Sequence, residues 1–394
     1  MKQSTKIGLV FSIAFLFTFN VFAQDKPTKW YDKFSLGGYA QLRYNRLLET
    51  NPDLKCEQCD KSLGSNGGLF LRRARVRIQG DISPRLFMYL QYDMAISSGN
   101  SNATMLGLRD AYFDLALDDD KLYRVRFGQS KIPYGFENMQ SSSNRITLDR
   151  NDAINSGAKD ERDLGAFFMI TPPEIRARLQ KLTKSGLKGS GDYGMFNLGV
   201  YNGQGAGRFE ANDNLHVVGR FTYPYEFKNG QIAEAGIQAY TGKFTVTNSS
   251  KNLETNTLWD DKRVAGSLIV YPQPLGIQAE YTIGKGPEFN PTTMKTELQN
   301  LEGGYAQLMY RKPIKNDFVT SFVKYQYYDG GKKFETDARS YTVKDTEIGV
   351  EWIHNKYVEF TAVYMISNRR YEDASKPINL QKGNALRLQV QFNY

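Results

Sequence analysis

The chain has 394 residues, with 51 Lys and Arg against 42 Asp and Glu, two Cys and two His, for a formal charge of +9. Its mean hydropathy is −0.52, and past the N-terminal run no apolar stretch reaches the length a helix needs to cross a bilayer, which excludes a helical membrane protein. The positive charge alternates along extended stretches instead of gathering in a helix or a tail, which argues against a nucleic-acid binder.

The N-terminus carries Lys2 and Lys6, an apolar run over residues 7–21, and then Val21-Phe22-Ala23 before Gln24. Charge, apolar core and small residues in that order make a secretory signal peptide cut after Ala23, so residues 24–394 are expected to form the mature chain. A single anchoring helix is the alternative, but the run is short for a span and no basic stop follows it. Gln24, not Cys, follows the cut, which argues against a lipoprotein.

Period-two alternation then takes over. In 34–46, Leu36, Gly38, Ala40, Leu42 and Tyr44 share one face, which leaves Tyr39, Gln41 and Arg43 on the other. The loop that follows holds Cys56 and Cys59 as Cys-x-x-Cys. With only two cysteines and no nearby histidine a four-ligand zinc site cannot be built there, and no metal is expected; a disulfide closing the loop is the expectation for an exported chain.

Residues 70–94 show the pattern most fully. Arg73, Arg75, Arg77, Gln79 and Asp81 alternate with Ala74, Val76, Ile78 and Gly80; a turn at Pro84 follows, and the alternation resumes to Met94. A soluble sandwich would bury the apolar face, whereas a membrane barrel would turn it to lipid and put the arginines in a water-filled lumen. Further on, Tyr123, Val125 and Phe127 alternate with Arg124 and Arg126. The longest loop, 131–161, has no strand pattern and carries Lys131, Pro133, Tyr134 and a mixed-charge run through Arg145, Asp149, Arg150 and Asp152; loops of this length are usually functional. The chain ends on an alternating strand whose last residue is aromatic, with Leu386, Leu388, Val390, Phe392 and Tyr394 on one face and Arg387, Gln389, Gln391 and Asn393 on the other. It resembles the terminal signal that barrel-insertion machinery reads in bacterial outer-membrane proteins.

By alternation and turn residues, sixteen strands are expected, near 34–46, 69–81, 85–96, 107–117, 122–129, 162–171, 193–202, 215–224, 232–243, 262–272, 275–285, 301–312, 316–328, 342–353, 355–368 and 384–394. Short connections alternate with long ones around the chain, the layout of an outer-membrane barrel. The segment 172–192 breaks the parity: it falls on the short-turn side, is long, and reads either as a periplasmic insertion with a helix or as a missed hairpin. The 25 Tyr and 24 Phe suit aromatic girdles at two membrane interfaces. The fold class expected is therefore all-β, a transmembrane antiparallel β-barrel of about sixteen strands, wide enough for an aqueous channel.

The stretch LRRARVRIQGDISPRLFMYLQYDMA, the strand GLRDAYFDLAL, and VRFGQSKIPYGFE followed by DRND resemble the phosphate-selective porin (porin O and P) family of bacterial outer-membrane proteins, most densely over residues 34–171. The resemblance implies a sixteen-stranded barrel, a homotrimer, an arginine ladder and a lysine-rich constriction for anions. It carries the ladder onto Arg73, Arg75 and Arg77, and onto Arg43, Arg124 and Arg126. By order along the chain 131–161 is the third exterior loop, which in porins folds into the barrel and sets the constriction; Lys131 at its root is then the candidate to join the basic wall. The lysine-rich constriction carries over poorly, since only Lys131 and Lys159 lie in that region among several acids.

Guanidinium groups stay charged and fork onto phosphate or carboxylate oxygens, so a ladder of them admits anions and excludes cations. The expectation is an outer-membrane porin for small hydrophilic solutes with a preference for anions such as phosphate, embedded in outer-membrane lipid and needing no cofactor. The competing reading of the same residues is that Asp81, Asp93, Asp110, Asp114, Glu280, Glu347 and Glu351, also expected to face inward, pair with the arginines and leave a weakly selective general pore. A barrel scaffold for an outer-membrane complex, docking through its loops or 172–192, is the other alternative. His216 and His354 have no Ser or Asp partner in sequence, so a hydrolytic enzyme is not expected.

Overall fold

The structure is a computed structural model that describes residues 29–54, 68–96 and 104–394. The expected signal peptide, residues 1–23, and the Cys56 and Cys59 pair lie outside the described residues. An N-terminal unit runs to Lys33 and closes with a 3-10 turn, Trp30–Lys33; the second unit is Phe34–Tyr394.

Sixteen strands make up the second unit: β1 (Phe34–Leu47), β2 (Phe70–Ser83), β3 (Leu86–Ile96), β4 (Thr104–Ala116), β5 (Tyr123–Lys131), β6 (Arg162–Ile170), β7 (Phe196–Tyr201), β8 (His216–Glu226), β9 (Ile232–Thr245), β10 (Leu258–Val270), β11 (Leu275–Asn290), β12 (Lys295–Ile314), β13 (Asp317–Gly331), β14 (Ser340–Ile353), β15 (Val358–Glu372) and β16 (Leu380–Asn393). Each pairs antiparallel with its neighbours in sequence, and β16 returns to β1 to close the barrel. Closure leaves no sheet edge unpaired, the condition for strands to cross a bilayer. At the seam the Tyr394 carbonyl accepts from Gly38 N–H at 2.8 Å, and the Tyr394 hydroxyl donates to the Arg75 carbonyl at 2.9 Å. Only glycine fits there: a Cβ on Gly38 would run into that same carbonyl and lie 2.7 Å from the hydroxyl.

Alternation sorts the faces as expected. Leu36, Phe113, Phe127, Leu198, Ile237, Leu268, Leu308 and Val323 are exposed on the outside, forming a belt suited to lipid, while Tyr39, Gln41, Arg43 and Arg75 are buried inside. One irregularity matters. Gln41 pairs with Arg73 but Leu42 with Leu71, so Arg72 is the extra residue of a β-bulge, and Arg72 and Arg73 are both buried on the lumen side.

The exterior hairpins differ from expectation. β11 and β12 stay paired as far as Asn290 opposite Lys295, so the long loop expected at 286–300 is a ribbon ending in a four-residue turn. β14 to β16 are likewise extended at their exterior ends. Away from lipid a ribbon needs no apolar face, so the alternation signal fades while the backbone pairing continues; Pro287, a turn signal in sequence, sits opposite Leu298 in the ladder. At the other end, Tyr193, expected to begin a strand, precedes β7.

Two segments enter the lumen. The third exterior loop, 132–161, folds inward as expected and carries two single-turn helices, α1 (Phe136–Met139) and α2 (Asp152–Asn155). Its apolar residues pack on the inner faces of β6–β15: Ile132, Tyr134 and Ile154 against Phe167, Tyr201 and Tyr240, Ala153 against Tyr328 and Tyr341, and Ile146 and Leu148 against Met309 and Phe322. The segment 172–192 is an insertion and holds α3 (Pro173–Lys184), not a hairpin. Proline starts the helix where a missing N–H costs nothing, and Gly186, with φ 71°, stops it. Leu182, on the face it shares with Ile175 and Leu179, packs with Leu187 against Phe136, Ile232, Ile269 and Tyr271. The insertion then crosses the lumen, because the Lys188 ammonium meets Glu351 of β14 at 2.8 Å and Glu359 of β15 at 3.0 Å, eight strands away.

Candidate functional site

Loop and insertion together fill the lumen on the β6–β15 side and are joined to each other: Gln140 donates to the Lys188 carbonyl and Phe136 meets Leu182. On the opposite side a cavity of about 270 Å³ remains. Its wall is made by inward residues of β2–β6 (among them Gln79, Tyr89, Asp110, Tyr112, Arg126 and Arg162), with Met139 and Ser141 of the loop and residues 190–193 of the insertion. Strand alternation delivers every one of the barrel residues, and the two inserted segments confine the space beside them.

All six arginines expected to face the lumen do so, but they divide into two groups. Arg75 sends Nε and Nη2 to one oxygen of Asp93 at 2.9 and 2.8 Å and Nη1 to the Tyr39 hydroxyl. Arg126 forks onto both oxygens of Asp114 at 2.7 and 2.8 Å. Arg124 reaches Asp192 of the insertion at 2.7 Å, and Arg43 reaches Asp149 of the loop at 3.0 Å. Arg73 and Arg77, by contrast, have no carboxylate within 4 Å among the described residues, and Nη1 of Arg73 and Nε of Arg77 are buried without a protein acceptor there. Charge pairing thus reaches four of the six.

Lys131 is inward and buried, yet its three ammonium protons are taken by the carbonyls of Asn138, Met139 and Gln140 at 3.1, 2.9 and 2.5 Å. It ties the loop to its own root instead of offering charge to a passing solute. Of the acids expected inside, Asp93, Asp110, Asp114, Glu280, Glu347 and Glu351 are buried there. Asp81, in register with Phe87 near the end of β2, is exposed beside Lys121 at 3.1 Å.

Several charged residues act that alternation did not single out. Arg72 owes its inward position to the bulge. Arg145 of the loop donates only to the carbonyls of Thr147 and Leu148 and, like Arg73, has no carboxylate within 4 Å among the described residues. Arg387, on the polar face of the last strand, joins Arg43 and Arg72 on Asp149. Burial alone would raise the Asp149 carboxyl, but the guanidinium groups of Arg43, Arg387 and Arg72 outweigh it and hold the acid well below the usual carboxylate range. Glu137 is fixed in the same manner: burial opposes its charge, and the Lys324 ammonium at 2.5 Å, Arg145 and two donors of Asn151 restore it. Glu280 accepts from the N–H groups of Phe136 and Glu137 at 2.5 and 2.8 Å, which answers the free donors at the start of α1. No sequence spacing announces the pairs that join the loop to the barrel, since their members lie from 77 positions (Arg72 and Asp149) to 238 positions (Arg387 and Asp149) apart.

His216 is buried beside Asp261 at 3.8 Å, and His354 lies half-exposed in the short turn between β14 and β15 with Asp317 at 3.1 Å. No group of three or more potential metal ligands occurs among the described residues.

Residues 53–394 match the family described as phosphate-selective porin O and P. No curated protein sequence matches the chain. Among solved structures it is similar to the outer membrane channel DcaP of Acinetobacter baumannii, with a TM-score of 0.55 at 13% identity over 92% of this chain and 97% of that one. Salmonella typhi OmpF, in a complex with daunomycin, gives 0.54 at 12% over 92% and 97%. Pseudomonas putida OprB gives 0.51 at 9% over 93% and 95%. At these identities the likeness shows the shared barrel. With the family matched over nearly the whole chain and the barrel closed around a partly filled lumen, the protein belongs to the phosphate-selective porin O and P family of outer-membrane channels.

Proposed function

We propose that this channel passes small hydrophilic solutes by diffusion with a preference for anions such as phosphate, and that the preference comes from Arg73 and Arg77. The observation that carries this reading is their lack of an acid partner among the described residues, where Arg75, two residues from each, is matched by Asp93. A paired arginine presents a dipole whose field dies away quickly; an unpaired one presents a full charge. At about 4 Å and an effective dielectric of 20, one such charge attracts an anion by roughly 4 kcal/mol, before the anion's own desolvation is subtracted. Several weak contacts in series, with Arg145 from the loop side, draw an anion in without trapping it.

On the same reading residues 1–23 are a cleaved signal peptide, Cys56 and Cys59 form a disulfide, and the barrel works as a homotrimer in outer-membrane lipid. The experiment that tests the central part is the reversal potential of the purified protein in a planar bilayer under a potassium chloride gradient, repeated with phosphate added. An anion-selective potential with chloride current reduced by phosphate is expected. A potential near zero would favour the second reading, a weakly selective general pore, which draws its support from the acid partners of Arg43, Arg75, Arg124 and Arg126.

A further inference from the structure

Charge alone does not account for the wall of the open cavity. Tyr89 and Tyr112 are direct cross-strand partners on β3 and β4, and their rings stack with centroids 5.0 Å apart and 11° between planes. The Arg126 guanidinium lies over Tyr112 at 3.9 Å, and the Tyr193 ring lies 5.2 Å from the same guanidinium. Asp114 already answers the charge of Arg126, so its flat face is what it adds. Two rings, a guanidinium and a third ring thus form one continuous pile running from strand wall to insertion.

These rings stay half-buried in a lumen where most inward side chains are buried. A hydrated inorganic ion gains nothing from an aromatic face, and wetting such a face is unfavourable unless a solute covers it. The cavity also carries amide and hydroxyl groups: Gln79 is the cross-strand partner of Tyr89, Gln91 donates to the Tyr89 hydroxyl at 3.1 Å, and Ser141 stands in the same wall. Gln91 in turn pairs across strands with Arg77, one of the two strand arginines without an acid. Flat apolar faces and hydrogen-bonding edges line about 270 Å³, just under the size of a pocket for a drug-sized molecule and suited to a single ring, and Arg77 stands beside that wall as the cross-strand partner of Gln91.

We propose that this track binds a monosaccharide phosphate, the pyranose lying on Tyr112 and Tyr89, its hydroxyls meeting Gln79, Gln91 and Ser141, and its phosphate drawn to Arg77. The proposal rests on the anion preference above and adds the ring. It is tested by block of chloride current in a planar bilayer, comparing glucose 6-phosphate, inorganic phosphate and glucose on the wild type and on Tyr89→Leu/Tyr112→Leu. Glucose 6-phosphate is expected to block at about a tenfold lower concentration than inorganic phosphate. Glucose should block weakly, and the double variant should lose the advantage of the sugar phosphate while keeping its response to inorganic phosphate. Tyr89→Phe/Tyr112→Phe, which keeps both rings, should retain most of the advantage; should the leucine pair yield no channels, Tyr193→Ala in the insertion is read in its place. Equal block by the two phosphates, or an advantage that survives loss of the rings, overturns the sugar site and leaves the anion preference standing. Block by neither, with no anion selectivity, overturns the anion preference itself and the sugar site with it.

Discussion

Arg75 and Arg77 stand two residues apart on one face of β2, yet only Arg77 brings an unanswered charge to the lumen. The difference lies in their cross-strand partners, Asp93 for Arg75 and Gln91 for Arg77. Removing Asp93 should therefore free a cation, and removing Arg75 should free an anion. Asp93→Asn is expected to raise the chloride-to-potassium permeability ratio and Arg75→Gln to lower it, each by a factor of about 2, read from the reversal potential. If both substitutions move the ratio in one direction, the pairing does not govern selectivity. Alternation in the sequence was enough to say that these arginines face inward. It could not say which were matched, because pairing depends on strand register and, for Arg43 and Arg124, on Asp149 and Asp192 arriving from inserted segments.

Beside their apolar packing, the third loop and the insertion are held by buried charged contacts, and each makes a separable expectation. Asp149 clamps the loop to β1, β2 and β16 through Arg43, Arg72 and Arg387. Its carboxyl is depressed on folding, so the stabilisation is present above the unfolded value near 4 and is lost only as pH falls through the depressed value. The Asp149 clamp should accordingly hold from pH 7 down to about 4, and Asp149→Asn, by costing the clamp about 3 kcal/mol, should give larger, noisier single-channel openings than the wild type across that range. A difference between the two that vanishes between pH 7 and 5 would count against this clamp. Lys188 plays the same part for the insertion, and Lys188→Gln is expected to raise conductance while leaving the barrel folded, as judged by its resistance to unfolding in detergent. Unchanged conductance would mean that the insertion does not narrow the path. The helix within 172–192 was legible only as one of two readings, the other being a missed hairpin. Its direction was not, since Leu182 and Leu187 find their apolar partners in Phe136 and in strand ends far along the chain. The exterior ribbons were missed for a related reason: pairing beyond the membrane leaves no alternation to read.

At the scale of the whole molecule the barrel was legible almost complete, because lipid outside and water inside force opposite chemistry onto successive residues of every strand. The asymmetry of its lumen was not. Loop and insertion pack on β6–β15 through aromatic and aliphatic side chains, which leaves a cavity against β2–β6. On the proposed reading selectivity belongs to one wall, and the charge count of the chain as a whole says little about it. The most direct measurement is the reversal potential of Arg73→Gln/Arg77→Gln set beside Arg124→Gln/Arg126→Gln under one potassium chloride gradient. Loss of most of the anion selectivity in the first pair, with the second pair shifted less, is the result expected from unmatched charges on β2. Equal loss in both pairs, or selectivity intact without Arg73 and Arg77, would contradict it.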